Sequence, residues 1–220
     1  MKVLNFYFDY VSNNAYLAWT QLRKMSDEYQ VQFNPVPVLF AGLLNAHGNV
    51  GPAEIPTKRA WMLKNILRKS AALGVPMNPP IHHPFNPLLA LRVSSLDIES
   101  AERWNLIDAL FKAVWVDQQH VSDEGVVIEL VNKVGLDGQQ LIAQAQLDIA
   151  KNRLKEQTET AIAKGVFGIP SILLDDEVFF GFDDFYFLQN ALKGEDPLDQ
   201  QMLSKWSLNN LTPSSQRSRS

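Results

Sequence analysis

Apolar residues recur along this chain with two different periods, and the change of period divides it. From Val3 to Tyr10 aromatic and aliphatic residues follow one another almost without interruption, the pattern of a buried strand. Val11 to Asn14 is a short polar break. Between Ala15 and Tyr29 the residues Ala15, Ala18, Leu22 and Met25 recur on one helical face. Val31 to Val38 predicts a second strand, and Pro35 and Pro37 within it place that strand at a sheet edge or end it early.

The period then becomes helical for more than a hundred residues. Gly42 to Pro56 reads as a loop, with His47-Gly48-Asn49 and Pro52. Helices are predicted over Trp61–Leu73 (stopped by Gly74 and Pro76), Leu88–Leu96, Arg103–Val116, Asp123–Val134 and Gln139–Lys164, the last with room for one break. Met77 to Pro87 is a proline-rich connection. Strand character returns at Ser171–Leu174 and Val178–Phe180, with a turn at Asp175-Asp176. A closing helix, Asp183–Leu192, carries Asp183 and Asp184 at its anion-preferring N-terminus. The order is βαβ, a helical block, then ββα, and the two β-containing units can share one sheet. This predicts an α/β chain with a thioredoxin-like fold and an inserted all-helical domain. Residues 1–40 and 165–196 form the discontinuous thioredoxin-like domain and 41–164 the helical insertion. Residues 197–220 form a polar C-terminal tail, partly disordered from Pro213 onward.

Composition changes this picture mainly through what is missing. The chain contains no cysteine. It therefore has no thiolate of its own for disulfide exchange or metal ligation, and any thiol chemistry must use a borrowed thiol. A net charge of -4 argues against a nucleic-acid partner. A hydrophobic content of 46% is enough for one large core and argues against disorder. No window approaches about 18 uninterrupted apolar residues, so no membrane span is expected. Met1-Lys2-Val3-Leu4-Asn5 is too polar for a secretory signal, leaving a cytoplasmic location as the default expectation. His82 and His83 are adjacent, their side chains diverge, and no further ligand stands at a metal-binding spacing, so no metal is expected. Trp61, Trp104 and Trp115 fall at or near apolar helix faces, as core residues or as walls of a pocket between the lobes.

Three places carry candidate chemistry. Ser12 stands between a strand and a helix, where helix-terminal N–H groups favour an anion. Its hydroxyl either caps the helix or donates to a bound thiolate. Ile169-Pro170 is either an ordinary trans proline opening a strand or a cis bond that exposes the backbone of Ile169. Gly181-Phe182-Asp183 offers an acid that either balances the helix dipole or grips a ligand amine.

The order and spacing of these motifs resemble the family of 2-hydroxychromene-2-carboxylate isomerases and kappa-class glutathione transferases, which are DsbA-like. The resemblance spans roughly Val3 to Leu192. It runs through Phe6-Tyr7-Phe8-Asp9-Tyr10-Val11-Ser12, Gly48-Asn49 with Pro52, Pro56 and Lys58, then Leu67-Arg68, Gly74-Val75-Pro76 and Pro84-Phe85-Asn86-Pro87. It closes with Val166-Phe167-Gly168-Ile169-Pro170-Ser171 and Phe179-Phe180-Gly181-Phe182-Asp183. The resemblance implies that Ser12 hydrogen-bonds the sulfur of glutathione and that Asn13 and Asn14 flank it. Asn49 and Lys58 would reach glutathione from the helical domain. Ile169, before a cis Pro170, would pair with the cysteinyl backbone, and Phe182 and Asp183 would hold the γ-glutamyl end. It also implies a small aromatic substrate, with Lys58 and Arg68 as alternatives for its carboxylate, and a homodimer. The family reaction adds glutathione thiolate to a conjugated aromatic α-keto acid, allows rotation, and eliminates. Conjugation or peroxidase chemistry at the same site, and glutathione binding without turnover, are the alternatives. This chain departs from the family pattern after the serine, where Asn13-Asn14-Ala15 replaces proline, an aromatic and a small residue. Phe182 also stands where a serine or asparagine is common.

Overall fold

The computed structural model describes residues 1–206. Strand β1 is Val3–Phe8, helix α1 Asn13–Tyr29, β2 Gln32–Pro37 and α2 Phe40–His47. The helical block continues with α3 Pro56–Leu73, α4 Leu88–Ser94, α5 Ser100–Trp115, α6 Glu124–Lys133, α7 Gly138–Gln146 and α8 Asp148–Ala163. The chain returns through β3 Ser171–Leu174, β4 Glu177–Phe180 and α9 Phe185–Lys193, and α10 spans Gln200–Lys205. This is the expected α/β thioredoxin-like architecture with a helical insertion.

The sheet order is β2-β1-β3-β4. β1 pairs parallel with β2, matching Phe6 to Pro35, and antiparallel with β3, matching Phe6 to Ile172. β1 is therefore internal and covered on both faces, which explains an apolar run interrupted only by Asn5. Leu4, Phe6 and Phe8 are fully buried, with the Phe8 ring tilted against that of Phe111 of α5, 5.4 Å between ring centres. Tyr7 points the other way, into a cluster with Leu43 of α2, Ala161 of α8, Val166 and Ile169. β2 is an edge strand, and so it tolerates two residues that lack a backbone N–H.

Two buried polar contacts tie the end of β1 to the helical block. The indole N–H of Trp115 donates to the Tyr10 carbonyl at 3.0 Å, and the Tyr10 hydroxyl lies 2.6 Å from Ser94 Oγ. Ser94 spends its own proton on the Ala90 carbonyl at 2.8 Å, so Tyr10 is the donor in that pair. Tyr10→Phe is expected to destabilise the protein by about 1 kcal/mol, read as a lower urea midpoint at unchanged slope. The sheet and the helical block lie within one compact unit, Met1–Phe185, and residues from Tyr186 onward form a second.

Several predicted boundaries move. The stretch 42–56 is not all loop: Phe40–His47 is helical, closed by Gly48 at φ 60° with the Asn49 N–H donating to the Leu44 carbonyl. α3 begins at Pro56, not Trp61, because proline is compatible with a first helical position. Residues 139–164 break at Leu147, whose ψ of 152° is extended. The last predicted helix starts at Phe185, after a single turn at Phe182–Asp184. Within the predicted tail, Gln200–Lys205 is helical, started by Asp199, whose carboxylate accepts from the N–H groups of Gln201 and Met202. The segment 213–220 lies outside the described residues. Trp61 is 62% exposed, so it is not a core residue.

Candidate active site

The site is built where β1 ends. Asp9 is buried and organises the turn that follows. Its main-chain carbonyl accepts from the Ser12 N–H at 3.1 Å. Its carboxylate accepts from the Val11 N–H at 3.1 Å through Oδ1 and from the Phe40 N–H, at the start of α2, at 3.0 Å through Oδ2. Burial pushes the Asp9 carboxyl up from 3.8 to about 7, although its backbone hydrogen bonds favour the charged form.

Ser12 is the N-cap of α1, and its Oγ accepts from the Ala15 N–H at 3.1 Å. Capping uses a lone pair and leaves the hydroxyl proton free to donate. The two local readings of Ser12, cap and thiol donor, are therefore compatible.

Across the cleft the Ile169–Pro170 bond is cis. The β3–β4 register ends at Ser171 paired with Phe180, so Ile169 has no strand opposite it among the described residues. Gly168 lets the Phe180 ring approach closely: a Cβ there would lie 2.6 Å from it, so any larger residue would displace that ring. Ser12, Asn13, Asn14 and Ile169 line a single cavity of about 360 Å³ together with Asp9 and Phe180.

Other predicted residues are placed differently. Asp183 is joined to this cavity through Lys69 of α3, whose ammonium lies 2.8 Å from Asp183 Oδ2 and 3.3 Å from Asn14 Oδ1. Lys69 also lies 5.8 Å from the Phe182 ring centre. Its side chain is only 13% exposed. Asn49 and Lys58 are exposed and fall outside the lining of the cavity, although the turn between them, Pro52–Glu54, contributes to it.

A second cavity of about 300 Å³ shares Asn13, Met62 and His83 with the first and adds Arg59, Pro79 and Trp115. Arg59, rather than Lys58 or Arg68, is the cation in its lining. Sequence reasoning missed Lys69, Arg59 and His83, which come from a helix face and a proline-rich loop and carry no local signal of convergence. Asp9 had one available signal, an acid closing an apolar strand three residues before Ser12. The His82 ring lies 4.8 Å from that of His120, tilted against it, but no group of three potential metal ligands occurs among the described residues. No helix among them is long and apolar enough to cross a membrane.

A thioredoxin sheet, a polar turn capping the first helix and a cis-proline loop facing it define a protein of the DsbA-like class. Residues 3–193 match the family model of the DSBA-like thioredoxin domain, and the chain belongs to that family. It is 27% identical over 193 residues to the 2-hydroxychromene-2-carboxylate isomerase of Pseudomonas putida, spanning 86% of this chain and 94% of that one. To glutathione S-transferase kappa 1 of Rattus norvegicus it is 24% identical over 180 residues, spanning 77% and 80%. Among solved structures it resembles a 2-hydroxychromene-2-carboxylate isomerase with a TM-score of 0.82 at 25% identity, covering 93% of this chain and 99% of that one.

Proposed function

We propose that this chain is a glutathione-dependent isomerase of the 2-hydroxychromene-2-carboxylate type. The observation that carries the reading is Ser12: its oxygen is held by the Ala15 N–H while its proton remains available beside an apolar cavity. A sulfur placed there meets a hydroxyl donor and the positive end of α1, both of which favour its anion. An ordinary thiol near pKa 8.5 is only a few per cent ionised at pH 7, so such help is needed.

In this reading Ile169 pairs through its backbone with the cysteinyl residue of glutathione. The γ-glutamyl end carries both charges, and the Asp183–Lys69 pair offers a partner for each: carboxylate for amine, ammonium for carboxylate. Asn13 flanks the sulfur, Asn14 is oriented by Lys69, Phe182 backs the γ-glutamyl end, and Asn49 and Lys58 serve the outer end of the tripeptide. The aromatic substrate occupies the second cavity with its carboxylate toward Arg59. Thiolate addition forms a C–S bond and moves a C=C electron pair onto the conjugated carbonyl oxygen. The resulting single bond rotates, and collapse of the enolate re-forms the C=C bond and expels the thiolate. Glutathione returns unchanged.

The test follows interconversion of 2-hydroxychromene-2-carboxylate and its open isomer by absorbance while total thiol is titrated. Glutathione-dependent interconversion with constant thiol is expected. Consumption of thiol would instead assign conjugation, and a rate independent of glutathione would remove the reading. Lys69→Met is expected to weaken glutathione binding about tenfold, roughly 1.4 kcal/mol, with kcat little changed, as measured by calorimetry and steady-state kinetics.

A further inference from the structure

His83 stands at the junction of the two cavities, lining the first with Ser12 and the second with Arg59 and Trp115. Its Nε2 lies 2.8 Å from the carbonyl oxygen of Val11, the peptide immediately before Ser12. A carbonyl only accepts, so Nε2 carries hydrogen, and in the neutral ring Nδ1 is the acceptor. Nδ1 makes no hydrogen bond among the described residues. Trp115 at 5.7 Å and Phe85 at 6.4 Å flank the ring. Both main-chain groups of Val11 are thus held, its N–H by the Asp9 carboxylate and its carbonyl by His83.

The other ionisable groups around the cavities are less suited to receive a proton from a bound thiol. Asp9 is buried, and each of its oxygens already accepts a backbone N–H. Glu54 Oε1 accepts from the Gly51 N–H at 2.7 Å. Arg59 and Lys69 are cations and have no lone pair to offer. An imidazole with one nitrogen fixed as donor and the other left basic is the arrangement that activates a thiol near neutral pH.

We propose that His83 is the base that takes the proton of the bound glutathione thiol. The inference rests on the reading that this cavity binds glutathione by its sulfur. The S–H bond breaks, its electron pair stays on sulfur, and the proton forms a bond to Nδ1. The imidazolium then remains beside the thiolate through addition and elimination and returns its proton when the thiol leaves. Ser12 and His83 divide the work: one hydrogen-bonds the anion and the other stores the proton.

The experiment compares the full-length protein with His83→Gln, whose amide N–H can still donate to Val11 but whose side chain cannot serve as a base. Calorimetry of glutathione binding in buffers of different ionisation enthalpy counts protons released, and thiolate absorbance reports the sulfur in the same samples. At about pH 8 an ordinary thiol is still mostly protonated. The parent is expected to form thiolate while releasing almost no proton. His83→Gln is expected either to release about one proton per thiolate formed or to lose about nine-tenths of the thiolate. Equal proton release and equal thiolate in the two proteins would overturn the role of His83 and leave glutathione activation by Ser12 standing. Absence of thiolate in the parent would remove both.

Discussion

Ser12→Ala is expected to raise the pH at which bound glutathione ionises by about one to two pH units, and to lower kcat/KM at neutral pH by roughly 10- to 100-fold. A hydrogen bond to a charged group contributes about 1.5–3 kcal/mol, and each tenfold change in ionisation corresponds to about 1.4 kcal/mol. The Ser12 hydroxyl has a second role that must be separated from the first. It caps α1 by accepting from the Ala15 N–H, and an alanine at a cap costs about 1 kcal/mol of stability on its own. Glycine at the same position costs only a few tenths as a cap and likewise provides no donor. If the hydroxyl acts on the sulfur, Ser12→Gly and Ser12→Ala will shift thiol ionisation equally while differing in melting temperature. A thiol pKa unchanged in both, measured by thiolate absorbance against pH, would remove the role of Ser12. Ser12→Thr keeps the hydroxyl and is expected to retain most of the activity.

The fold was legible wherever burial dictates residue type. β1 is internal, so its sequence is apolar on both faces; β2 is an edge, so it carries Pro35 and Pro37. Both properties arise from distant pairing but leave their mark on the local residue types. The helix Phe40–His47 carries little local signal because it is short, contains Gly42 and is followed by Gly48 and Gly51. What makes it a helix is largely tertiary: Leu43 is fully buried against the sheet, and the Phe40 N–H is held by Asp9, far away in the chain. The loop expected up to Pro56 runs directly into helix α3, because proline suits a first helical position.

The site was legible along the chain but not across it. Ser12 and Ile169 stand out locally because each adjoins a strand or a helix end, whereas Asn13 and Asn14 enter only through the resemblance. Local chemistry did not favour a cis Ile169–Pro170 bond; the order of motifs did, and the bond is cis. Lys69 bridges Asn14 and Asp183, which lie 55 and 114 residues from it, and nothing in helix α3 marks that position from its neighbours. His83 meets Val11 across 72 residues through a proline-rich loop. Contacts of this kind appear only when the helical block folds over the turn at the end of β1.

Asp9 should impose the largest pH dependence on the stability of this protein. Burial raises its carboxyl from 3.8 to about 7, so the folded chain binds the proton more tightly than the unfolded chain. For a carboxyl raised in this way, the favourable contribution is complete below about pH 4 and is lost as pH rises through about 7. Across that window the folded state should weaken by about 4 kcal/mol at most. The carboxyl of Asp148, held below its usual range by Lys151, has the opposite sign, and its effect is complete above the ordinary carboxylate range. Urea unfolding at pH 5 and pH 8 measures the difference, and Asp9→Asn isolates it. The amide places an N–H against one of the two backbone donors, so the variant starts less stable at pH 5, yet it should lose far less than the parent on going to pH 8. Parallel pH profiles for the two proteins would exclude Asp9 as the source. The same carboxyl lines the cavity beside Ser12, so its ionisation places a negative charge near the thiolate. Asp9→Asn is therefore also expected to lower the pKa of a thiol bound there, the opposite direction from Ser12→Ala, so a single thiolate titration distinguishes the stabilising hydroxyl from the opposing carboxylate.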